Sequence, residues 1–346
     1  MHIADALISP AVGGAMWAAT AAAGALSLKT LGAKHDERRV ALMGVMGAFV
    51  FAAQMINFSI PGTGSSGHLG GGLLLAAVLG PYAGFLVMAS ILAVQALFFA
   101  DGGLLALGCN VFNLGFFTCF VAYPLIFRPL VRRSFSTGSV VAASLIAAIV
   151  GLQLGAFGVV LETLLSGRTE LPFGTFVALM QPVHLAVGIV EGLVTAALLA
   201  ALRRARPEVL SSSLDGKSYQ GAPLRPLILS GILLALIAGG VLSWFASAWP
   251  DGLEWSMART SGMEKLEAGG AVHETLAGIQ EGTAFLPDYG FRAALPVGGE
   301  SAPSWPAVNA GTSVSGILGA GIVLTLVVLA GLAGRFLRKR AKGVRT

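Results

Sequence analysis

The sequence predicts an all-α membrane protein with nine helical spans. The 346 residues are 55% hydrophobic and 11% charged, which is more apolar and about half as charged as a typical soluble domain. Apolar runs close to the ~20 residues that cross about 30 Å of hydrocarbon recur along the whole chain. The third span is short, and Gly80-Pro81 separates it from the fourth, because proline disfavours helix at the residue before it. The predicted spans are 10–31, 39–56, 69–79, 82–100, 104–127, 138–164, 174–202, 226–247 and 312–334.

The basic residues orient these spans in the membrane. With nine spans and an external amino terminus, all but four of the 22 Lys and Arg residues fall on one side. The positive-inside rule therefore predicts an external amino terminus and a cytoplasmic carboxyl terminus. Merging the third and fourth spans would place the basic loop 128–133 on the wrong side. We interpret the formal net charge of +5 as this orientation signal, and we expect a lipid bilayer and no nucleic acid as partner.

The spacing of the spans divides the chain into two units. Residues 1–205 are predicted to form a seven-helix bundle, and residues 226–346 a two-helix hairpin around an extracytoplasmic segment, 248–311. Between them, 206–225 is polar, charged and rich in Ser and Pro, which is typical of a cytoplasmic linker. The external segment carries eight acidic and three basic residues, a net charge of −5. Such a segment is either simply a soluble acidic domain or one that concentrates divalent cations.

A tripeptide in the linker mimics a nucleotide site. Gly216-Lys217-Ser218 matches the end of a phosphate-binding loop, but Ser211 stands where the first Gly of that motif belongs. No predicted strand precedes it. We therefore assign the tripeptide to the linker and predict that the chain is not an enzyme and has no ATPase of its own.

The first two residues can chelate a metal ion without help from the fold. His2 is too bulky for routine removal of the initiator methionine, and the opening lacks the basic leader of a cleavable signal peptide. The α-amine of Met1, the amide nitrogen of His2 and the His2 imidazole then form fused chelate rings with three nitrogen donors in one plane. That donor set suits Ni(II) or Cu(II), and also Co(II). The alternative is that His2 is an ordinary residue of a solvated terminus.

A second histidine lies in a loop that the topology places on the same outer face. The stretch from Asn57 to Gly72 is rich in Gly, Ser and Pro, which predicts an irregular loop around His68. Irregular backbone at membrane depth is tolerated only where it is buried in protein or lines a cavity. A lone histidine in such a loop is ordinarily a surface or hydrogen-bonding residue. Here it is also the imidazole that can fill the fourth corner of the chelate.

Several segments resemble known proteins. The opening MHIADALISP, the stretch from Ile56 to Gly115 and PVHLAVGIVEGLVTA from Pro182 resemble the CbiM/NikM family. Those proteins are the substrate-capture membrane subunits of energy-coupling-factor transporters for cobalt and nickel. The second unit is similar to the small companion subunit of the nickel systems, and the chain resembles a fusion of the two. The companion-like segments are PDGLEWSMAR, FLPDYGF and GTSVSGILGAG, which start at Pro250, Phe285 and Gly311.

The resemblance implies a function, a ligand set and partners. The amine of Met1, the amide and imidazole of His2, and His68 are expected to form a planar four-nitrogen site for transported Ni(II) or Co(II), with no other cofactor. Ala4 and Ala6 depart from the usual opening MHIPDGFLS, but they follow the ligands. A transmembrane coupling protein and two cytoplasmic ATPase subunits are the implied partners, in the bacterial inner membrane. The second unit favours nickel, and a cobalt-specific relative that serves cobalamin synthesis is the alternative.

Polar side chains inside the predicted spans need partners. His184 and Glu191 lie seven residues apart on one helical face, about 10.5 Å of rise, so we do not expect both to bind one ion. Ionisable residues inside a membrane are functional hypotheses, and we favour hydrogen bonding or packing over a metal relay for this pair. Asn110 and Asn113 can find partners by orienting the metal ligands, and we group Asn57 with them.

Three further residues have structural interpretations. Asp101 is expected at the outer membrane edge, where it could cap the following helix. Cys109 and Cys119 lie in one apolar span without a CxxC pair, which favours small buried side chains over thiols that relay a metal.

Two other functional classes are alternatives to metal capture. A secondary transporter driven by an ion gradient would use His184 and Glu191 as its proton pair. An intramembrane metalloenzyme is disfavoured because the chain lacks HExxH.

Overall fold

The computed structural model confirms an all-α membrane protein. It describes residues 2–32, 37–217, 219, 221, 223–263, 266–267, 269–292 and 305–343. Its helices and strands, in chain order, are α1 (Pro10–Gly32), α2 (Glu37–Gln54), β1 (Phe58–Ile60), β2 (Ser65–Gly67), α3 (Gly72–Leu79), α4 (Pro81–Phe99), α5 (Leu107–Arg133), α6 (Thr137–Leu165), α7 (Phe173–Ala205), α8 (Pro207–Asp215), α9 (Arg225–Gly240), α10 (Gly252–Ser261), α11 (Ala271–Thr283) and α12 (Ala310–Gly343). Short 3-10 turns lie at Asp5–Leu7, Leu242–Phe245 and Pro287–Tyr289, and the middle of α5, Phe112–Phe127, is π-helical.

Among the described residues, six helices are long and apolar enough to cross a membrane. They are α1, α4, α5, α6, α7 and the Ala310–Leu332 part of α12. The other three predicted spans form shorter helices, since α2, α3 and α9 have 18, 8 and 16 residues. At 1.5 Å per residue α3 extends only about 12 Å, and every one of its residues is buried. The chain is therefore a multi-pass membrane protein in which α3 is enclosed by other helices and its helical part covers less than half of the hydrocarbon thickness.

A sharp reversal separates α3 from α4. Gly80 lies between them with φ of 79°, a backbone conformation that glycine adopts without strain. Pro81 occupies the first turn of α4, where its missing N–H removes no helical hydrogen bond. The helices then pack closely, because a Cβ on Gly84 would lie 2.8 Å from the backbone nitrogen of Ala76.

The second unit packs along the first. Helices α9 and α12 contact each other and α2. A Cβ on Gly316 would lie 2.4 Å from the carbonyl oxygen of Gly239, and one on Gly319 would lie 2.1 Å from the Phe51 ring. Glycines at such crossings let membrane helices approach each other closely. The two-helix hairpin is thereby fitted against α2 of the seven-helix bundle.

The stretch after α2 is more regular than its composition predicted. Its centre is an antiparallel pair of strands in which Phe58 pairs with Gly67 and Ile60 with Ser65. The expectation of an irregular loop was wrong because tertiary contacts stabilise these three-residue strands. The amide of Ser66, for example, donates to the carbonyl of Pro250 at 2.8 Å.

Loops meet at both ends of the bundle. One end, which we call the site end, comprises the described residues of 2–9, 57–71, 100–106 and 247–292. At the opposite end α8 packs against the bundle, and Arg128 Nε donates to the carbonyl of Leu214 at 2.8 Å.

Candidate metal centre

His2 and His68 are neighbours at the site end. Their imidazole rings are inclined by only 4°, and the ring centroids are 5.0 Å apart. The side chain of His2 is 8% exposed, and His68 is buried to the same degree. Met1, the remaining predicted ligand residue, lies outside the described residues. The fold thus brings together two imidazoles that are far apart in the chain.

This pair can share one metal ion if other donors join it. With metal–nitrogen bonds of about 2 Å, each ring centre lies roughly 3 Å from the ion, so two rings on one ion can be up to about 6 Å apart. The observed separation is within that limit. No group of three or more His, Cys, Asp or Glu side chains could hold a metal in the part of the chain that the structure describes. The predicted chelate would add backbone and terminal nitrogens to the two imidazoles.

Asn110 holds the residue after His2. Its Oδ1 accepts from the amide of Ile3 at 2.7 Å, and its Nδ2 donates to the Ile3 carbonyl at 3.2 Å. The amide of Gly103 donates to the same carbonyl at 2.9 Å. Since Asn110 is buried in α5, its amide group obtains its partners by fixing the amino-terminal segment.

Glu191 holds the loop that carries His68. Its two carboxylate oxygens accept from the amides of Gly70, at 2.7 Å, and Gly71, at 3.1 Å. Gln54 Nε2 donates to the Gly70 carbonyl at 2.8 Å. Gly71 has φ of 77°, and a Cβ there would lie 2.4 Å from Val50, so both its conformation and its surroundings require glycine. A buried acid in α7 thereby fixes the backbone just after His68.

Asp101 contacts His2, which the sequence did not suggest. One carboxylate oxygen, Oδ1, lies 3.1 Å from Nδ1 of His2, and Oδ2 accepts from the Tyr289 hydroxyl at 2.5 Å. The predicted helix cap was wrong, since the helix that follows has no side-chain cap. Asp5 satisfies the amide of Ala106 instead, at 2.9 Å, just before α5 begins. In the sequence, Tyr289 stood out only as part of the FLPDYGF motif, which is similar to a segment of the companion subunit.

Burial and neighbouring charges set the protonation of these groups. Burial lowers the pKa of His68 to about 3, so its imidazole is neutral and has a lone pair at physiological pH. Burial alone would raise the pKa of Asp101, but its interaction with His2 and the hydrogen bonds from His2 and Tyr289 hold that pKa below its usual range. Burial and the nearby carboxylate raise the pKa of Tyr289 well above its usual value. Asp101 is therefore an acceptor and Tyr289 a donor.

The other predicted residues in the helices bond to the framework. His184 Nδ1 donates to the carbonyl of Met180 at 2.8 Å, which leaves Nε2 as an acceptor. Asn113 Nδ2 donates to Glu162 at 2.8 Å. Cys109 and Cys119 are both free and buried.

The PDGLE sequence forms the amino-terminal end of helix α10. The Asp251 carboxylate accepts from the amides of Leu253 and Glu254, each at 2.8 Å, while Glu254 Oε2 accepts from the amide of Asp251 at 3.2 Å. This reciprocal pair is a capping box, which satisfies amides that a helix start leaves free. Gly252 is needed because a Cβ there would lie 2.6 Å from Val183 of α7. The motif therefore starts α10 and also seats it on the bundle.

The same helix start covers the His68 loop. The amide of Ser247 donates to the carbonyl of Asn57 at 2.8 Å, which places Asn57 in a contact between the two units. A small cavity remains beneath, lined in part by His68, His184 and Asp251. The second unit thus lies directly over the candidate site.

Comparisons with known proteins agree with these observations. The family model CbiM, described as a cobalt uptake substrate-specific transmembrane region, matches residues 2–209, and a PDGLE domain model matches residues 225–336. A protein of Archaeoglobus fulgidus named as a fused nickel transport protein NikMN is 33% identical over 94% of this chain and 96% of its own length. The fused nickel transport protein NikMN of Rhodobacter capsulatus is 31% identical over 72% of this chain and 75% of its own.

A solved structure has the same fold as the first unit. It is a crystal structure of a truncated transition metal transporter, 31% identical, with a TM-score of 0.53 over 59% of this chain and 99% of that one. Together the matched family models and the full-length relatives cover both units. This chain belongs to the CbiM/NikM family of nickel and cobalt transport proteins, in the form that is fused to a PDGLE-type companion unit.

Proposed function

We propose that this chain is the metal-capture subunit of an ATP-driven importer of the energy-coupling-factor type. It binds Ni(II), or alternatively Co(II), at the outer face and delivers it inward. The proposal depends above all on the adjacency of His2 and His68 at one end of a membrane bundle. The proposed ligands are the amine of Met1, the amide nitrogen and imidazole of His2, and the imidazole of His68.

The chemistry of the terminus supports this ligand set. Nδ1 of His2 is the ring nitrogen that closes a chelate ring with its own amide nitrogen, so metal binding uses Nδ1. His68 supplies a neutral imidazole because burial keeps its pKa near 3. A planar set of nitrogen donors favours Ni(II). The names of the fused relatives, which are nickel transport proteins, support nickel for this chain as well.

The fixed backbone around the ligands suits a site that binds one small ion. Asn110 fixes Ile3 on one side, and Glu191 fixes Gly70 and Gly71 on the other. We assign both as residues that hold the ligands in place, with Asn113 and Asn57 in the surrounding framework. Because the backbone beside the ligands is held before binding, affinity is gained by pre-organisation of the backbone.

The orientation and the two units are part of the proposal. We place the amino terminus and the site end outside the bacterial inner membrane and the carboxyl terminus in the cytoplasm, as the basic residues indicate. Residues 1–205 capture the metal, 206–225 link the units and 226–346 form the companion unit. Energy comes from separate subunits, a transmembrane coupling protein and two ATPases. The linker tripeptide supports this, since the Lys217 amide donates to the carbonyl of Ser212 at the end of α8.

An ion-driven transporter with His184 and Glu191 as a proton pair is the weaker proposal. His184 bonds to the carbonyl of Met180. Glu191, two helical turns further along α7, bonds to the amides of Gly70 and Gly71 in the His68 loop. Each side chain therefore has a framework partner of its own.

Metal analysis of the purified full chain tests the proposal. We expect about one Ni(II) per chain, lost in His2→Ala, and uptake in vesicles only when the coupling protein and ATPases are present. Uptake by the chain alone under a proton gradient would contradict the importer and support the ion-driven alternative.

A further inference from the structure

We infer that Asp101 and Tyr289 position the imidazole of His2 for metal capture, so that the second unit completes a site whose ligands lie in the first. The inference rests on the proposed function, because it takes His2 as a metal ligand. Asp101 and Tyr289 act through His2 and do not themselves bind the metal.

Two hydrogen bonds connect the units at this point. The Tyr289 hydroxyl donates to Oδ2 of Asp101 at 2.5 Å, and Nδ1 of His2 donates to Oδ1 at 3.1 Å. Each carboxylate oxygen of Asp101 thus faces one donor, Tyr289 from the second unit and His2 from the first. The orientation of the His2 ring therefore depends on a side chain of the second unit.

The second unit also fixes the loop that carries Asp101. Gln280 Nε2 donates to the carbonyls of Gly102, at 2.7 Å, and Ala96, at 2.9 Å, on either side of Asp101. The Tyr289 ring is stacked on Phe99 with centroids 5.0 Å apart and an angle of 17°. The hydroxyl and the carboxylate are thus both held at fixed positions.

Unusual backbone conformations cluster at the same contact. Within the described ranges, the non-glycine residues with positive φ are Ala100 at 54°, Asp288 at 51° and Tyr289 at 58°. They comprise the residue before Asp101 and the Asp288-Tyr289 pair. Such conformations are unfavourable for residues with a Cβ, and they persist where the surrounding structure over-determines them, often at functional sites. The backbone is therefore strained on both sides of the hydrogen bond between Tyr289 and Asp101.

Metal binding changes which nitrogen of the His2 ring carries the proton and needs a hydrogen-bond acceptor. Nδ1 of His2 contacts Asp101, and Nε2 is buried without a hydrogen-bond partner among the described residues. When Nδ1 takes the metal, the proton resides on Nε2, and a buried N–H without an acceptor is costly. Rotation of the ring about Cβ–Cγ brings Nε2 towards the Asp101 side. Asp101 is then the carboxylate that orients a metal-bound histidine and increases its basicity.

The test compares nickel affinity in full-length variants. Asp101→Asn keeps the shape of the side chain but removes its charge, and Tyr289→Phe removes only the hydroxyl. We expect Asp101→Asn to bind nickel about 10- to 100-fold more weakly, and Tyr289→Phe to show a smaller loss in the same direction. Tyr123→Phe is the matched control, because the Tyr123 hydroxyl bonds to the Ser213 carbonyl at the opposite end of the bundle. Its affinity should equal that of the wild type.

A spectroscopic measurement separates positioning from general destabilisation. Square-planar Ni(II) is diamagnetic, so the imidazole N–H of His2 can be followed by NMR in nickel-loaded chain with ¹⁵N-labelled histidine. We expect this resonance to shift in Asp101→Asn and Tyr289→Phe and to stay unchanged in Tyr123→Phe. Unchanged or tighter nickel binding in Tyr289→Phe, with an unchanged resonance, would overturn the inference. A wild type that binds no nickel, or a His2→Ala variant that retains it, would overturn the proposed function instead.

Discussion

The imidazole of His2 lies parallel to that of His68, with ring centroids 5.0 Å apart. One ring belongs to the chain terminus and the other to a loop after the second helix. Each is held by a buried polar side chain, Asn110 through Ile3 and Glu191 through Gly70 and Gly71. The predictions below test what this arrangement does.

We expect metal binding to require a free amine at the amino terminus. Extending the chain by one residue before Met1 moves the amine out of the chelate, so nickel capture should be abolished. The same extension placed after Thr346 should have no effect. Metal content per chain, measured on both purified proteins, checks this, and equal nickel in the two would refute the terminal chelate.

We expect metal binding to require both histidines of the pair. His2→Ala and His68→Ala should both lose tight nickel binding, because a planar ion that loses an imidazole is left with water in that position. His35→Ala is the control, since the basic-residue pattern assigns His35 to the opposite side. Isothermal titration with nickel provides the comparison, and a stoichiometric His68→Ala variant would remove His68 from the site.

His273 lies in the acidic external segment, but it is a poor control. It is buried, and its Nε2 donates to the carbonyl of Ile8 at 3.0 Å. Its replacement would disturb the amino-terminal segment directly.

Glu191→Gln should weaken nickel binding. It removes the charge that accepts from two loop amides, and hydrogen bonds to charged groups are each worth about 1.5–3 kcal/mol. We expect a loss of affinity of roughly tenfold or more if part of that energy fixes His68. Glu162→Gln is the matched control, because Glu162 is a buried carboxylate that bonds to Asn113. Nickel affinity and thermal stability should both be measured, and equal affinity losses in the two variants would show that Glu191 has no special role.

Nickel binding should weaken as the pH falls. The amine and the amide of the chelate must both lose a proton, so log affinity should rise by about two per pH unit below the amine pKa of about 7.7. His68 adds no step in this range, because its pKa lies near 3 and it is neutral throughout. Competition titrations between mildly acidic and mildly alkaline pH check the slope. A flat profile would favour oxygen ligands.

The second unit should affect transport more than folding of the first. Removing residues 225–346 should leave a chain that still binds nickel, because Met1, His2 and His68 all belong to the first unit. Affinity should fall because Tyr289 is lost, and uptake with the coupling protein and ATPases should fall further. Metal bound per chain and uptake rate should be measured together. Complete loss of binding would show that the units do not separate at the linker.

The sequence by itself determined the class of the protein and most of its helices. Composition and the length of apolar runs predict membrane helices reliably, because hydrocarbon imposes both a thickness and a demand for internal hydrogen bonds. The break at Gly80-Pro81 also followed from local sequence. The chelate stays a prediction, and it could be made from sequence because three of its four donors belong to Met1 and His2.

The tertiary structure decided which groups support the ligands. The contact between Asp101 and Tyr289 joins residues 188 positions apart, and the Glu191 carboxylate reaches Gly70 across 121. No local pattern encodes such pairs, since a buried polar group takes whichever partner packing brings to it. For the same reason the hairpin Phe58–Ile60 with Ser65–Gly67 escaped a composition-based prediction. Local sequence sets what each residue can do chemically, whereas packing sets which residues meet.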